Sequence, residues 1–159
     1  MKFNARFLAT GGIIAAVYVV LTFVSAAMGL SSGVVQLRLS EALCILPCFT
    51  PAAILGLPLG CLLSNILTGG IIWDVVFGSL ATLIGAVGTY MLRHRRFLAS
   101  LPPIISNSVI IPFVLIRAYD VPVAYPLVLL SIMTGEFLSA GVLGQLLYGP
   151  LSRRTDLFG

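Results

Sequence analysis

From residue 42 to residue 92 the sequence runs for about 50 residues with a single charge, Asp74. A segment this apolar cannot coat a water-facing surface. As one helix it would far exceed the ~20 residues that cross a hydrocarbon core of about 30 Å, so it must fold back on itself inside a bilayer. The flanking sequence agrees: 59% of the 159 residues are hydrophobic, with only nine Lys or Arg and five Asp or Glu. Soluble domains carry about 25% charged residues. The chain reads as an all-α membrane protein, multi-pass in the cell membrane, with a single integral domain over residues 1–159 and no room for an extramembrane one.

Pro47, Pro51, Pro58 and the pair Gly69-Gly70 punctuate the long run. Breaking it at Pro58 and at the glycine pair gives spans over 41–57, 59–69 and 73–92. Three more lie over 7–30, 101–116 and 124–147, for six transmembrane helices. Short, proline-broken helices such as the second and third are tolerated where they pack on protein or line a cavity. Lys2, Arg6, Arg93, Arg95, Arg96, Arg153 and Arg154 then fall on one side, seven of the nine positive residues. By the positive-inside rule both termini are cytoplasmic, and only Arg38 and Arg117 lie outside. Between the first two spans, Val35, Leu37 and Leu39 alternate with Gln36, Arg38 and Ser40. That period of two predicts an extended segment with one apolar face.

The composition removes most chemistry. Lys2 is the sole lysine, so a phosphate-binding loop with its lysine is excluded. The sole histidine, His94, lies in the basic run 93–96, which reads as a solvated loop, so paired-histidine metal motifs are excluded. Cys44 and Cys48 are four apart but lack further ligands for a soft metal. With Cys61 they read as small buried apolar side chains. No enzyme activity, cofactor, metal or nucleic-acid partner is expected. If the chain transports, the energy comes from an ion gradient or from another protein.

The polar residues inside the spans carry the information. Glu136 lies mid-way along the sixth span, where a carboxylate costs about 2.5–3.5 kcal/mol on insertion scales. Such residues face a cavity, a partner or a substrate; the alternative is a structural hydrogen bond to another helix. Asn107 lies at similar depth in the antiparallel fifth span, so the two either floor a polar pocket or bond only to each other. Glu41 and Asp74 each begin a helix on the outer side, where the helix dipole favours an acid, and Ser40 is a candidate N-cap. Together with Arg38 and Arg117 they equally suit a polar ligand or a lid latched by ion pairs. Asn65, with Ser64, either satisfies broken backbone near the prolines or touches ligand. Trp73 reads as an interfacial anchor, with stacking on a planar ligand as the alternative. Gly12 and Ala16, like Gly11 and Ala15, are spaced to let another helix approach closely, either within the bundle or from a partner subunit.

The runs VQLRLSEAL at 35–43, Gly56 to Cys61 with Ser64-Asn65, and DVVFGSLATL at 74–83 resemble the QueT family, and the resemblance covers nearly the whole chain. It implies an S-component-like bundle, the substrate-binding membrane subunit of an energy-coupling factor (ECF) importer for a queuosine precursor, a 7-deazapurine such as queuine, preQ1 or preQ0. Its partners would be a transmembrane coupling subunit and two cytoplasmic ATPase subunits. Glu136, then Glu41, would accept the paired N–H groups of the base, with Asn107 beside them. Gln36 and Arg38 would lie in a lid, Asp74 would meet a ligand amine, and Gly12 and Ala16 would dock the coupling subunit. Two other readings stand beside this one: an ion-coupled secondary transporter of a small polar metabolite, with Glu136 as proton carrier, and a non-transport membrane assembly protein.

Overall fold

The computed structural model describes residues 4–30, 36–118 and 125–154. Six helical segments are found among them, and no strand. Helix α1 (Ala5–Ala27) starts where the Asn4 side chain accepts the Phe7 N–H at 2.9 Å. It ends at Gly29, whose φ of 70° places it in the left-handed region. There the N–H groups of Gly29 and Leu30 return to the carbonyls of Ala26 and Ser25, which satisfies two of the last free acceptors of the helix. A 3-10 helix (Leu39–Cys48) follows, then α2 (Ala53–Leu67), α3 (Ile72–Met91), a short 3-10 turn (Leu98–Ser100) leading into α4 (Leu101–Ala118), α5 (Tyr125–Glu136), a π-helical segment (Phe137–Leu143) and α6 (Gly144–Ser152). The last three form one continuous rod. Four stretches, Ala5–Ala27, Ile72–Met91, Leu98–Arg117 and Tyr125–Ser152, are long and apolar enough to cross a membrane; Leu39–Cys48 and Ala53–Leu67 are shorter apolar helices.

Two expectations need correction here. The chain breaks at residues 49–52 rather than at Pro58, which lies inside α2. Pro51 lies just ahead of the new helix, next to its N-cap Ala52, where a missing N–H removes no helical hydrogen bond, and the Thr50 hydroxyl accepts the Ala52 N–H at 3.3 Å. The second correction concerns the alternating segment. Extended backbone reaches only to Arg38; Leu39, Ser40 and Glu41 are already helical. Ser40 is therefore inside the helix rather than its cap, and its hydroxyl accepts from Thr22 Oγ1 at 3.0 Å. Residues 31–35, with Val35, lie outside the described residues.

Close helix contacts rest on glycine. A Cβ on Gly56 would stand 2.7 Å from the Gly11 carbonyl oxygen, and one on Gly60 2.7 Å from Tyr18 Cβ. The α1–α2 seam thus uses Gly11 and Ala15, which are buried, whereas Gly12 and Ala16 face outward. The 3-10 helix is the innermost element, with residues 40–47 all buried. Its Leu43 and Leu46 join Ile14, Tyr18, Leu57 and Ala86 of the neighbouring helices in one apolar cluster. Outside, the arrangement of a soluble protein is reversed: Leu8, Ile13, Ile66, Phe113, Leu127 and Leu146 are exposed, while Glu41, Asn65, Asn107 and Glu136 are buried. An apolar exterior around polar interior groups is what a bilayer demands. At the basic run, Arg96 is engaged rather than merely solvated. It donates to Gln145 Oε1 at 3.0 Å and to the Gln145 carbonyl at 3.1 Å, and the Gln145 amide donates back to the Arg96 carbonyl.

Candidate functional site

Five of the residues singled out in the sequence meet around one cavity. Gln36 and Arg38 enter from the segment before the 3-10 helix, Glu41 from its first turn, Asn107 from α4 and Glu136 from the end of α5. Cys61 from α2, Gly78 and Thr82 from α3, Ile111 from α4 and Ile132 from α5 complete the wall. The space between these side chains accommodates about one water molecule. Its polar lining is two carboxyl groups, two amides and a guanidinium, and Ile111 and Ile132 supply apolar surface.

The two acids differ in how well they are satisfied. Glu41 is 2% exposed. The Tyr18 hydroxyl donates to its Oε1. Its Oε2 accepts from the Cys44 thiol at 3.0 Å and from the Asn107 amide at 3.3 Å. Glu136 is 7% exposed, lies against Asn107, and its Oε2 is buried with no hydrogen-bond partner among the described residues. An unpaired buried acceptor costs about 1–3 kcal/mol, more if charged. A ligand that brings an N–H to this oxygen recovers that cost, whereas Glu41 has little left to offer.

Asn65 and Asp74 are not brought into the lining. The Asn65 amide donates to the Asp74 carbonyl at 3.2 Å and contacts Cys61 Sγ at 3.6 Å, and the Asn65 carbonyl accepts the Gly70 N–H at 2.8 Å. It ties the end of α2 to the start of α3 across Gly69, whose φ is 78°. Asp74 lies in the first turn of α3, one turn before Gly78. Trp73 is exposed and stacks on Phe77 at 5.8 Å. Sequence reasoning passed over Tyr18, a single hydroxyl in an apolar helix. It also treated Cys44 and Cys61 as packing alone, yet one donates to Glu41 and the other lines the cavity. A buried tyrosine needs a partner for its hydroxyl, and that was the available signal.

The family model described as QueT transporter matches residues 8–153. The queuosine precursor transporter QueT of Lactococcus lactis subsp. cremoris (strain MG1363) is 38% identical over 76 residues, which cover 47% of this chain and 44% of that protein. The match therefore takes in less than half the length of that relative. No solved structure matches the chain.

Proposed function

The chain belongs to the QueT transporter family, and from that premise we propose that it is the substrate-binding S component of an ECF-type importer, binding a 7-deazapurine precursor of queuosine from outside the cell. The observation that carries this reading is Glu136 Oε2, a buried acceptor without a donor among the described residues, at the wall of a polar cavity. A guanine-like edge presents an exocyclic amino group beside a ring N–H, two donors that one carboxyl group accepts together. Asn107 offers its side-chain carbonyl oxygen as a further acceptor to the same edge. Glu41 acts one step back: its Oε2 holds the Asn107 amide, which leaves the Asn107 carbonyl oxygen to the ligand. Ile111 and Ile132 supply apolar contact to the planar ring. Gln36 and Arg38 cover it as a lid. Asp74 does not line this cavity but lies directly behind its wall, with Oδ1 3.8 Å from the Cβ position of Gly78, so the amine that some of these precursors carry is assigned first to the polar wall.

The topology that fits this role has both termini in the cytoplasm. The outward pair Gly12 and Ala16 would dock the coupling subunit, and two ATPase subunits would drive release inside. Copurification with an ATPase pair supports this reading; uptake that collapses with an uncoupler at constant ATP supports ion coupling instead. The direct test is calorimetry with 7-aminomethyl-7-deazaguanine on the wild type and on Glu136→Gln. The variant puts an N–H where an acceptor is needed, so affinity should fall at least about tenfold, or about 1.4 kcal/mol. Unchanged affinity with a lowered melting temperature would make Glu136 a structural residue and overturn the assignment.

A further inference from the structure

We propose that Gly135 is the seat on which the segment carrying Gln36 and Arg38 closes, and that the absence of a side chain there is a positioning requirement of the binding site. The proposal rests on the binding role given above to the cavity. Its geometric basis is independent of which ligand enters.

The segment is held on one side by α1 and its cap. The Leu37 N–H donates to the Leu30 carbonyl at 2.9 Å, and the Leu39 N–H to Ser25 Oγ at 2.8 Å. On its other side it meets α5 at Gly135, the residue directly before Glu136. A Cβ built on Gly135 would fall onto the Gln36 carbonyl oxygen, 2.9 Å from the Gln36 carbonyl carbon and 3.6 Å from its nitrogen. All three are backbone atoms, so no rotamer change relieves the overlap; either the segment lifts or the helix moves. The rod 125–152 holds three other glycines. At Gly141 and Gly144 a Cβ would make ordinary contacts from 3.4 Å outward, and at Gly149 it would meet open space. Helix interiors favour alanine over glycine, so of the four only position 135 has a steric reason to forgo a side chain.

The consequence is functional because the cavity beside the segment has room for only about one water. A purine-sized ligand exchanges only when the segment moves away, and it is retained only when the segment returns to Gly135. Anything that props the segment up lowers the fraction of closed protein, and apparent affinity falls by that fraction. Gly135 therefore acts through Gln36 and Arg38 without touching the ligand itself.

The test compares Gly135→Ala with Gly141→Ala, a helical substitution in the same rod where the methyl group makes only ordinary contacts from 3.5 Å. Binding of 7-aminomethyl-7-deazaguanine is measured by calorimetry, and amide hydrogen exchange at Leu37 and Leu39 is followed without ligand. For Gly135→Ala, affinity should drop at least about tenfold, which corresponds to a closed fraction near one-tenth. Exchange at the two amides should accelerate, with no loss in melting temperature. Gly141→Ala should match the wild type in both. If Gly135→Ala leaves exchange at Leu37 and Leu39 unchanged, the seat is refuted. A lowered melting temperature with fast exchange throughout α5 would assign Gly135 to general packing and also overturn it. If the wild type binds no deazapurine, the functional reading fails, while the exchange comparison still decides whether Gly135 seats the segment.

Discussion

Replacing Tyr18 by phenylalanine keeps the ring and removes one oxygen, which isolates the bond between α1 and the centre of the site. Tyr18 is 1% exposed and its hydroxyl donates to Glu41 Oε1. Oε2 keeps its bonds to Cys44 and Asn107, so the variant leaves one carboxyl oxygen short of a donor. Two magnitudes compete. Hydrogen bonds to charged groups contribute about 1.5–3 kcal/mol in proteins generally. Side-chain bonds between membrane helices average only about 0.6 kcal/mol, with a maximum of about 1.7, because the membrane-inserted unfolded state finds other partners. Glu41 is 2% exposed on the innermost helix, out of reach of headgroups and bulk solvent, so the upper half of the membrane range applies. We expect a loss of about 1–1.7 kcal/mol, a factor of about 5–18 in the folded-to-unfolded ratio. Unfolding in mixed micelles by detergent titration measures it. In a Glu41→Gln background the same substitution should cost half as much or less, because the oxygen it strips no longer belongs to a carboxylate. A cost below about 0.3 kcal/mol, within the error of such cycles, or an equal cost in both backgrounds, would refute the view that Tyr18 holds Glu41.

Gly12→Leu or Ala16→Leu should abolish copurification with the coupling subunit while leaving deazapurine affinity unchanged, since a Cβ on Gly12 meets open space; loss of binding with assembly intact would assign this face to the bundle. By contrast Gly60→Leu should destabilise the protein by at least about 1–3 kcal/mol in detergent unfolding, because the Ala15 carbonyl and Tyr18 block the new side chain. With Cys48 replaced by alanine, a membrane-impermeant thiol reagent applied outside should label Trp73→Cys and miss Arg95→Cys, and the reverse pattern would invert the topology.

The membrane class and the number of helices were legible because they follow from sums over many residues. Individual boundaries were not. Pro58 and Pro51 look alike in a sequence, yet Pro51 falls in the break before a helix and Pro58 is carried within a helix that Gly56 and Gly60 seat against α1. Glu136 and Asn107 stood out because each is a polar group in an apolar span, and they do share one cavity. Asn65 stood out for the same reason, but it serves the turn at Gly69. Local rules report that a buried polar group needs a partner; they do not say whether that partner is backbone, side chain or ligand. Gly135 carried no signal of its own, because its neighbour, Gln36, lies 99 positions away in the chain.

The backbone around the two acids shows why they are not interchangeable. Glu41 lies in the first turn of a 3-10 helix of ten residues, where such runs seldom pass three or four. At about 2.0 Å per residue instead of 1.5 Å, that helix reaches about 5 Å further than an α-helix of equal length, and it threads the bundle centre, where side chains from several elements reach each residue. Glu41 is therefore met by donors from α1, from its own helix and from α4, and is saturated. Glu136 is the last α-helical residue before the π segment Phe137–Leu143. It projects from the end of a regular helix into a wall that offers it Asn107 but leaves one oxygen bare. Irregular backbone survives at membrane depth only where protein or a cavity covers it. Here the two irregular helices pack on each other beside the cavity. One acid is used up in holding the site together, and the other is left with the acceptor a ligand needs.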